Sequence, residues 1–354
     1  MKALVSYGKY DYRLEERPVP VPGPGDILVK VEACGICAGD LKAFEGARRF
    51  WGSEDSPAYV EPPAVPGHEF VGRIAETGSK VSEFKPGDRI IAEQIRPCGK
   101  CLYCRTNRYW LCDKHDVFGF KYYLNGGMAE YMLFPEGSLC HRVPERMPLE
   151  AAALIEPFAC SKHGVDRAQI TAEDTVVIAG SGTLGLGMVT IAALHKPARL
   201  ISLDLDDRRL ALARHFGADF TFNPLKTDAV AQVRALTDGY GCDVYIEATG
   251  HPDSVGQGLA MIRKGGRFVE FSVFKEPATV DWSIIGDEKE ITIYGSQLSP
   301  FCYPEVIRWL DEGKIRYEGV VTHKFPLSAW REAFSAAVGR EAVKTLLIPD
   351  AVDS

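Results

Sequence analysis

Cys98, Cys101, Cys104 and Cys112 stand in PCGKCLYCRTNRYWLC, a C-x2-C-x2-C-x7-C run. Thiolates that close in sequence can surround one tetrahedral Zn²⁺ and leave no position open for substrate, the arrangement of a structural site. The lobe they define, about residues 96–114, is too polar to fold on a core of its own, so a metal would fix it. A nucleic-acid zinc ribbon would show two separated C-x2-C pairs within a basic domain. Neither is present, and a net charge of −7 with a pI near 5.7 argues against a polyanion partner.

A second set of residues raises a different chemistry. Cys34-Gly-Ile-Cys37, in ACGICAGDLK, has the spacing of a redox pair. Asp40 follows three residues later, however, and negative charge raises a thiol's pKa. A bound cation would reverse that argument by deprotonating the thiol. His68-Glu69 follows Pro66-Gly67 in the same β-rich stretch. A cysteine, a histidine and one more protein ligand make up a catalytic zinc with an open fourth position.

The third set is Gly180-Ser181-Gly182-Thr183-Leu184-Gly185, a G-x-G-x-x-G between the strand DTVVIAG and a helix. In that context the glycines allow a tight turn and let backbone approach a pyrophosphate on the helix N-terminus. Asp204 ends the next strand, where an acid binds ribose hydroxyls and repels a 2′-phosphate. NAD is therefore favoured over NADP, with Arg208 and Arg209 arguing the other way. A ligand-free Gly-rich turn and an FMN or nucleotide site are the alternatives.

The elements that must position these residues are visible in outline. Over the first ~90 residues ILVKVEA, VGRIAETG and RIIAEQI alternate with Gly/Pro turns, which predicts an antiparallel, barrel-like β domain. From about residue 174, strands such as ARLISLD, CDVYIEATG and GRFVEFSV alternate with helices, which predicts βαβ units and a parallel sheet. After about residue 294, PEVIRWLDEGKI and LSAWREAFSAAV read as amphipathic helices outside that sheet. A chain of 354 residues, 46% hydrophobic and 25% charged, suits two soluble globular domains. The N-terminal MKALVSYGKYDYRLEERP carries charges throughout and resembles no secretory signal, and no stretch approaches the ~20 apolar residues of a membrane span. The expected location is the cytoplasm, where ten cysteines stay reduced.

Taken together, these residues resemble the zinc-containing medium-chain dehydrogenases over essentially the whole length, in particular the polyol (sorbitol-like) and threonine branch. Gly67-His68-Glu69-x2-Gly72-x5-Gly78-x2-Val81 matches the family's zinc signature, and Phe84-Lys85-Pro86-Gly87-Asp88-Arg89 its F-x-x-G-D-R turn. The resemblance implies an α/β fold: a GroES-like β-barrel catalytic domain over 1–155 carrying the structural zinc lobe, a Rossmann NAD-binding domain over 156–293, and a return to the catalytic domain over 294–354. It implies Cys37, His68 and Glu156 as catalytic zinc ligands, Glu69 as a ligand or a group exchanging with water, and Asp40 as the carboxylate holding the histidine. Cys34 is then a bystander. Further cofactor contacts are implied at Ser272, Val273, Ser296 and Gln297, beside Gly180 to Gly185, Asp204 and Arg209. Two Zn²⁺ per chain, NAD and a homo-oligomer (dimer or tetramer) complete the expectation.

The chemistry so implied is Lewis-acid activation of a substrate hydroxyl by zinc and hydride transfer to nicotinamide in a cleft between the domains. Two departures stand out. Where the family usually has Ser or Thr and then His to carry the alcohol proton away, this chain has Gly39 and Lys42. Proton exit through Lys42, Glu69, bound water or a substrate hydroxyl is then expected. The stretch FEGARRFWGSEDSPAYVEPP between Cys37 and His68 is longer than usual, and either caps the substrate cleft or forms a surface loop with packed aromatics. The CAGDLK variant resembles polyol dehydrogenases acting on tetritols such as erythritol and threitol. Threonine 3-dehydrogenase-like or other secondary-alcohol oxidation, and a non-catalytic NAD sensor or scaffold of the same fold, remain as alternatives.

Overall fold

The structure, a computed structural model, describes residues 1–339 and 342–350. Its contacts divide into two units. The first comprises Met1–Glu156, Tyr303–Glu312 and the chain from Val320 on; the second comprises Pro157–Cys302 and Gly313–Gly319.

In the first unit, strands β1 (Lys2–Gly8) and β2 (Asp11–Glu16) pair as a hairpin. There follow β3 (Ile27–Gly35), helices α1 (Ala38–Phe44) and α2 (Arg48–Trp51), β4 (Glu69–Thr77), β5 (Arg89–Ala92), the short α3 (Leu102–Arg105), β6 (Tyr131–Phe134), β7 (Cys140–Arg142) and α4 (Leu149–Ala153). The central β3 pairs antiparallel with β4 along its length, from Ile27 opposite Thr77 to Gly35 opposite Glu69. That register carries the stretch after Cys34 and the stretch before Glu69 to the same sheet end. The core beneath is Val29, Val31, Phe70, Ile74, Phe118 and Phe134 with Trp330 and Phe334. This is the antiparallel barrel-like domain that alternating apolar residues predict.

Helix α5 (Ile155–Ala168) begins at the junction. The second unit alternates β8 (Thr175–Ala179), α6 (Thr183–Leu194), β9 (Arg199–Leu203), α7 (Asp207–His215), β10 (Phe220–Phe222), α8 (Ala229–Leu236), β11 (Cys242–Glu247), α9 (Pro252–Met261), β12 (Ile262–Glu270) and β13 (Thr292–Gly295). All six strands are parallel, in the order β10-β9-β8-β11-β12-β13. This doubly wound order reverses direction at β8 and opens a crevice at the strands' C-terminal ends. Strands such as TVVIA are buried on both faces, which is why they read as continuous apolar runs.

The chain re-enters the first unit at Tyr303 rather than at 294, because β13 still belongs to the parallel sheet. Helix α10 (Tyr303–Asp311), β14 (Val321–Pro326), α11 (Trp330–Val338) and β15 (Lys344–Ile348) complete that unit. Strand β15 pairs with β3 at Gly35 and Cys34.

Candidate active site

Helix α1 starts where it does because Cys37 and Asp40 cap it. The Cys37 sulfur accepts the Gly39 N–H at 3.4 Å, and the Asp40 carboxylate accepts the Cys37 N–H at 2.9 Å. Gly67, at φ +96°, turns the chain just before His68, and a Cβ there would lie 2.5 Å from the Cys34 sulfur. The outcome is one cluster: ligand-capable atoms of Cys37, His68 and Glu69 lie within 4.8 Å of one another. His68 Nδ1 faces Asp40 Oδ1 at 3.6 Å, and both atoms are buried without a hydrogen-bond partner among the described residues. Burial opposes a charge on His68, yet the facing Asp40 and Cys37 raise its pKa well above the ordinary value. A pocket so rich in anions, with a soft sulfur and an imidazole, fits a divalent cation such as zinc.

Glu156, in the first turn of α5, is buried but is not part of that mutual cluster. Glu69 is in it, and sequence reasoning missed its partner. Lys344, on β15, is 4% exposed and donates to both Glu69 carboxylate oxygens at 2.8 and 2.5 Å, and to the Ile36 carbonyl at 3.1 Å. Burial opposes its charge, but Glu69 raises its pKa. A lysine opening the apolar strand KTLLI was the available signal.

Cys34 is fully buried, and burial raises its pKa, so it stays a thiol and not a redox partner. Lys42 lies half-buried on α1, one turn after Ala38. The long insert contains α2. Its Phe50 is buried and stacks on Phe120 at 5.4 Å, and Phe120 lies 5.6 Å from the His68 ring. Tyr59 joins the same aromatic group, 5.4 Å from Phe120. The insert thus walls the cluster on one side.

The four lobe cysteines form a second cluster, again with sulfurs within 4.8 Å of one another. Backbone amides point at them: Cys104 N–H donates to Cys101 at 3.5 Å, Cys101 N–H to Cys98 at 3.4 Å and Cys98 N–H to Cys112 at 3.3 Å. Those amides pull Cys101 down to about 6, whereas burial pushes Cys104 up to about 12. Only a cation makes four such neighbours thiolates together. The lobe is tied to the sheet by Tyr109, whose hydroxyl donates to buried Glu93 at 2.8 Å, and Glu93 also meets His141 at 3.2 Å.

In the second unit, Gly180 takes φ +99°, and a Cβ on Gly185 would sit 1.7 Å from the Gly180 carbonyl oxygen. Glycine is therefore obligatory in this turn. No side chain caps the N-terminus of α6 at Gly182, which suits an anion there. Asp204 accepts the Ser181 N–H at 2.7 Å and the Asp206 N–H at 2.9 Å, so it braces the turn it follows. Arg208 pairs with Asp206, while a Cβ on Gly182 would stand 4.0 Å from Arg209. Thr183 and Leu184 open α6; Ser272 and Val273 follow β12, and Ser296 and Gln297 follow β13, all at the same sheet edge as Gly180.

Residues 23–145 match the alcohol dehydrogenase GroES-like domain and residues 183–312 the zinc-binding dehydrogenase domain. An erythritol/L-threitol dehydrogenase of Mycolicibacterium smegmatis is 47% identical, covering 99% of this chain and 98% of its own. The chain belongs to the zinc-dependent medium-chain polyol dehydrogenase family. A sorbitol dehydrogenase of Halalkalibacterium halodurans is 33% identical to this dehydrogenase over 99% of both chains. Among solved structures, 2R,3R-butanediol dehydrogenase of Bacillus subtilis superposes with a TM-score of 0.86 at 28% identity, covering 99% of each chain. A Sinorhizobium meliloti protein described as a zinc-binding dehydrogenase, bound to NADP, superposes at 0.90 with 31% identity, covering 98% of this chain and 99% of its own. The dehydrogenase is an oxidoreductase, and a sensor or scaffold role is set aside.

Proposed function

We propose that this dehydrogenase oxidises a secondary hydroxyl of a short polyol, a tetritol such as erythritol or threitol, to the ketose with NAD as hydride acceptor, and reduces the ketose in reverse. The observation that carries the reading is the Cys37–His68–Glu69 cluster, with His68 and Glu69 buried and Cys37 half-buried, beside a residue with no side chain. A Cβ on Gly39 would stand 3.7 Å from the Cys37 sulfur, 3.8 Å from His68 Cε1 and 3.9 Å from Phe50 Cζ. That space suits a further hydroxyl-bearing carbon next to the reacting one. The 47% identity to an enzyme named for erythritol and L-threitol supports the chain length. Threonine fits less well, since its ammonium and carboxylate need charged partners, and relatives named for it match at 32–34%.

Cys37 and His68 would hold a catalytic zinc, with buried Glu156 as the third ligand the family resemblance implies, and the four lobe cysteines would hold a structural one. Zinc bound at the first site would supply Lewis acidity toward a substrate hydroxyl. Asp40 orients the imidazole. Lys344 engages both oxygens of Glu69, so that carboxylate would be less available to a metal than an unpaired one. With Gly39 offering no hydroxyl, Lys42 or the Glu69–Lys344 pair takes the proton away. The Gly180–Gly185 turn seats the cofactor's pyrophosphate and Asp204 its adenosine ribose, where the acid disfavours a 2′-phosphate. The exposed edge of β13, with Ile293, supports a homo-oligomer. Ten cysteines, with no disulfide among the described residues, support a reducing, cytoplasmic location.

The test is a panel of C3 to C6 polyols, threonine and simple alcohols with NAD and NADP. The highest kcat/KM is expected for a C4 polyol with NAD. Preference for threonine overturns the substrate class, and preference for NADP overturns the cofactor.

A further inference from the structure

Asp204 stands on the β9 side of the sheet's reversal point, so the adenosine half of a dinucleotide lies over β8 and β9. Its other half, past the Gly180–Gly185 turn, must extend toward the ends of β11, β12 and β13. The last of these ends continues as Ser296–Phe301. In that turn Leu298 has φ +53° and Phe301 φ +60°, left-handed conformations that cost energy for residues with side chains. Such a backbone persists only when something outside it holds it.

Helix α5 supplies the hold from one face. Arg167 Nε donates to the Gly295 carbonyl at 3.0 Å. One turn earlier, His163 Nδ1 lies 3.1 Å from the Leu298 carbonyl oxygen and 3.3 Å from Ser296 Oγ. A carbonyl can only accept, so Nδ1 carries the ring proton and donates it. Burial lowers the His163 pKa, which keeps the imidazole neutral at pH 7. The helix is itself a firm base: a Cβ on Gly164 would lie 3.0 Å from Met188 and 3.3 Å from Phe271, at the end of β12.

We infer that His163 is a positioning residue, fixing the Ser296–Phe301 turn so that the nicotinamide half of the cofactor is held for hydride transfer while the adenosine half binds independently. The inference rests on the proposed use of a nicotinamide dinucleotide. It assigns His163 no contact with the reacting atoms; it acts through the Leu298 carbonyl and Ser296 hydroxyl.

The experiment compares the full-length enzyme with His163→Ala and His163→Asn, measuring NADH binding by nicotinamide fluorescence, ADP-ribose binding by calorimetry, and steady-state oxidation of the best C4 polyol. Loss of one buried hydrogen bond predicts NADH binding weakened roughly 5–20-fold in His163→Ala, with ADP-ribose binding within about twofold and kcat reduced at saturating NAD. His163→Asn, whose amide can donate to the Leu298 carbonyl, should recover most of the loss. Should the alanine variant not fold, the asparagine variant and Ser296→Ala carry the same comparison. Equal weakening of NADH and ADP-ribose would mean a merely structural role and overturns the inference, as does no change in either. A wild-type enzyme that binds neither nucleotide would instead remove the dinucleotide reading beneath it.

Discussion

Lys344 brings a positive charge into a strand whose next residues are Thr345, Leu346 and Leu347, and Glu69 meets it with both oxygens. A carboxylate engaged by one buried cation is a poor resident ligand for a second. Glu156→Gln should therefore lower zinc from about two per chain to about one by elemental analysis, while Glu69→Gln keeps about two. The opposite pattern would make Glu69 the third ligand. The proton route is tested beside it. If Lys42 is the base, Lys42→Met should slow oxidation by ~10²–10⁴-fold and shift the alkaline limb of the pH profile. A serine at Gly39 would stand at ordinary contact distance from Cys37 and His68. Gly39→Ser in the Lys42→Met background should then recover part of the lost rate. An unchanged pH profile in Lys42→Met would exclude it as the base.

The elements were readable to different degrees, for physical reasons. Strand TVVIA, the glycine turn and α6 were legible because a buried parallel strand and a pyrophosphate turn each restrict composition locally. Cys37 with Asp40, and the lobe cysteines with one another, were legible because each set falls within one short stretch of chain. Lys344 and His163 were not, since each matters through residues far away in sequence, 275 positions in the first case and 135 in the second. Insert residue Phe50 fell between these cases: its aromatic company was visible, but not that Phe120 would carry it to His68. Two predictions belong at this scale. Asp204 braces Ser181, so Asp204→Ala should weaken NAD binding and narrow the NAD/NADP gap, losing an interaction worth ~1.5–3 kcal/mol. An unchanged cofactor preference would show that Asp204 does not act on the ribose. Cys101→Ser should cost one zinc and loosen the lobe, read as lost zinc and faster proteolysis within 96–114, with activity measurable in the soluble fraction. Full zinc retention would count against the four-cysteine site.

At the scale of the whole molecule, the first unit is assembled from three separated stretches of chain, whereas nearly all of the second is continuous from Pro157 to Cys302. Strand β15, far along the sequence from β3, pairs with it and delivers Lys344 to Glu69. During synthesis, then, the barrel that begins the sequence cannot be the first to finish. Its central strand waits, with Cys34 and Gly35 unpaired on one side and the Glu69 carboxylate uncompensated, until β15 has been made. The parallel-sheet unit can collapse on its own core in the meantime. A chain released before Lys344 is made would retain Cys37 and His68, yet its pocket would lack the cation that holds Glu69 in place. The charge balance of this pocket is thus acquired only once a strand far along the sequence has been made.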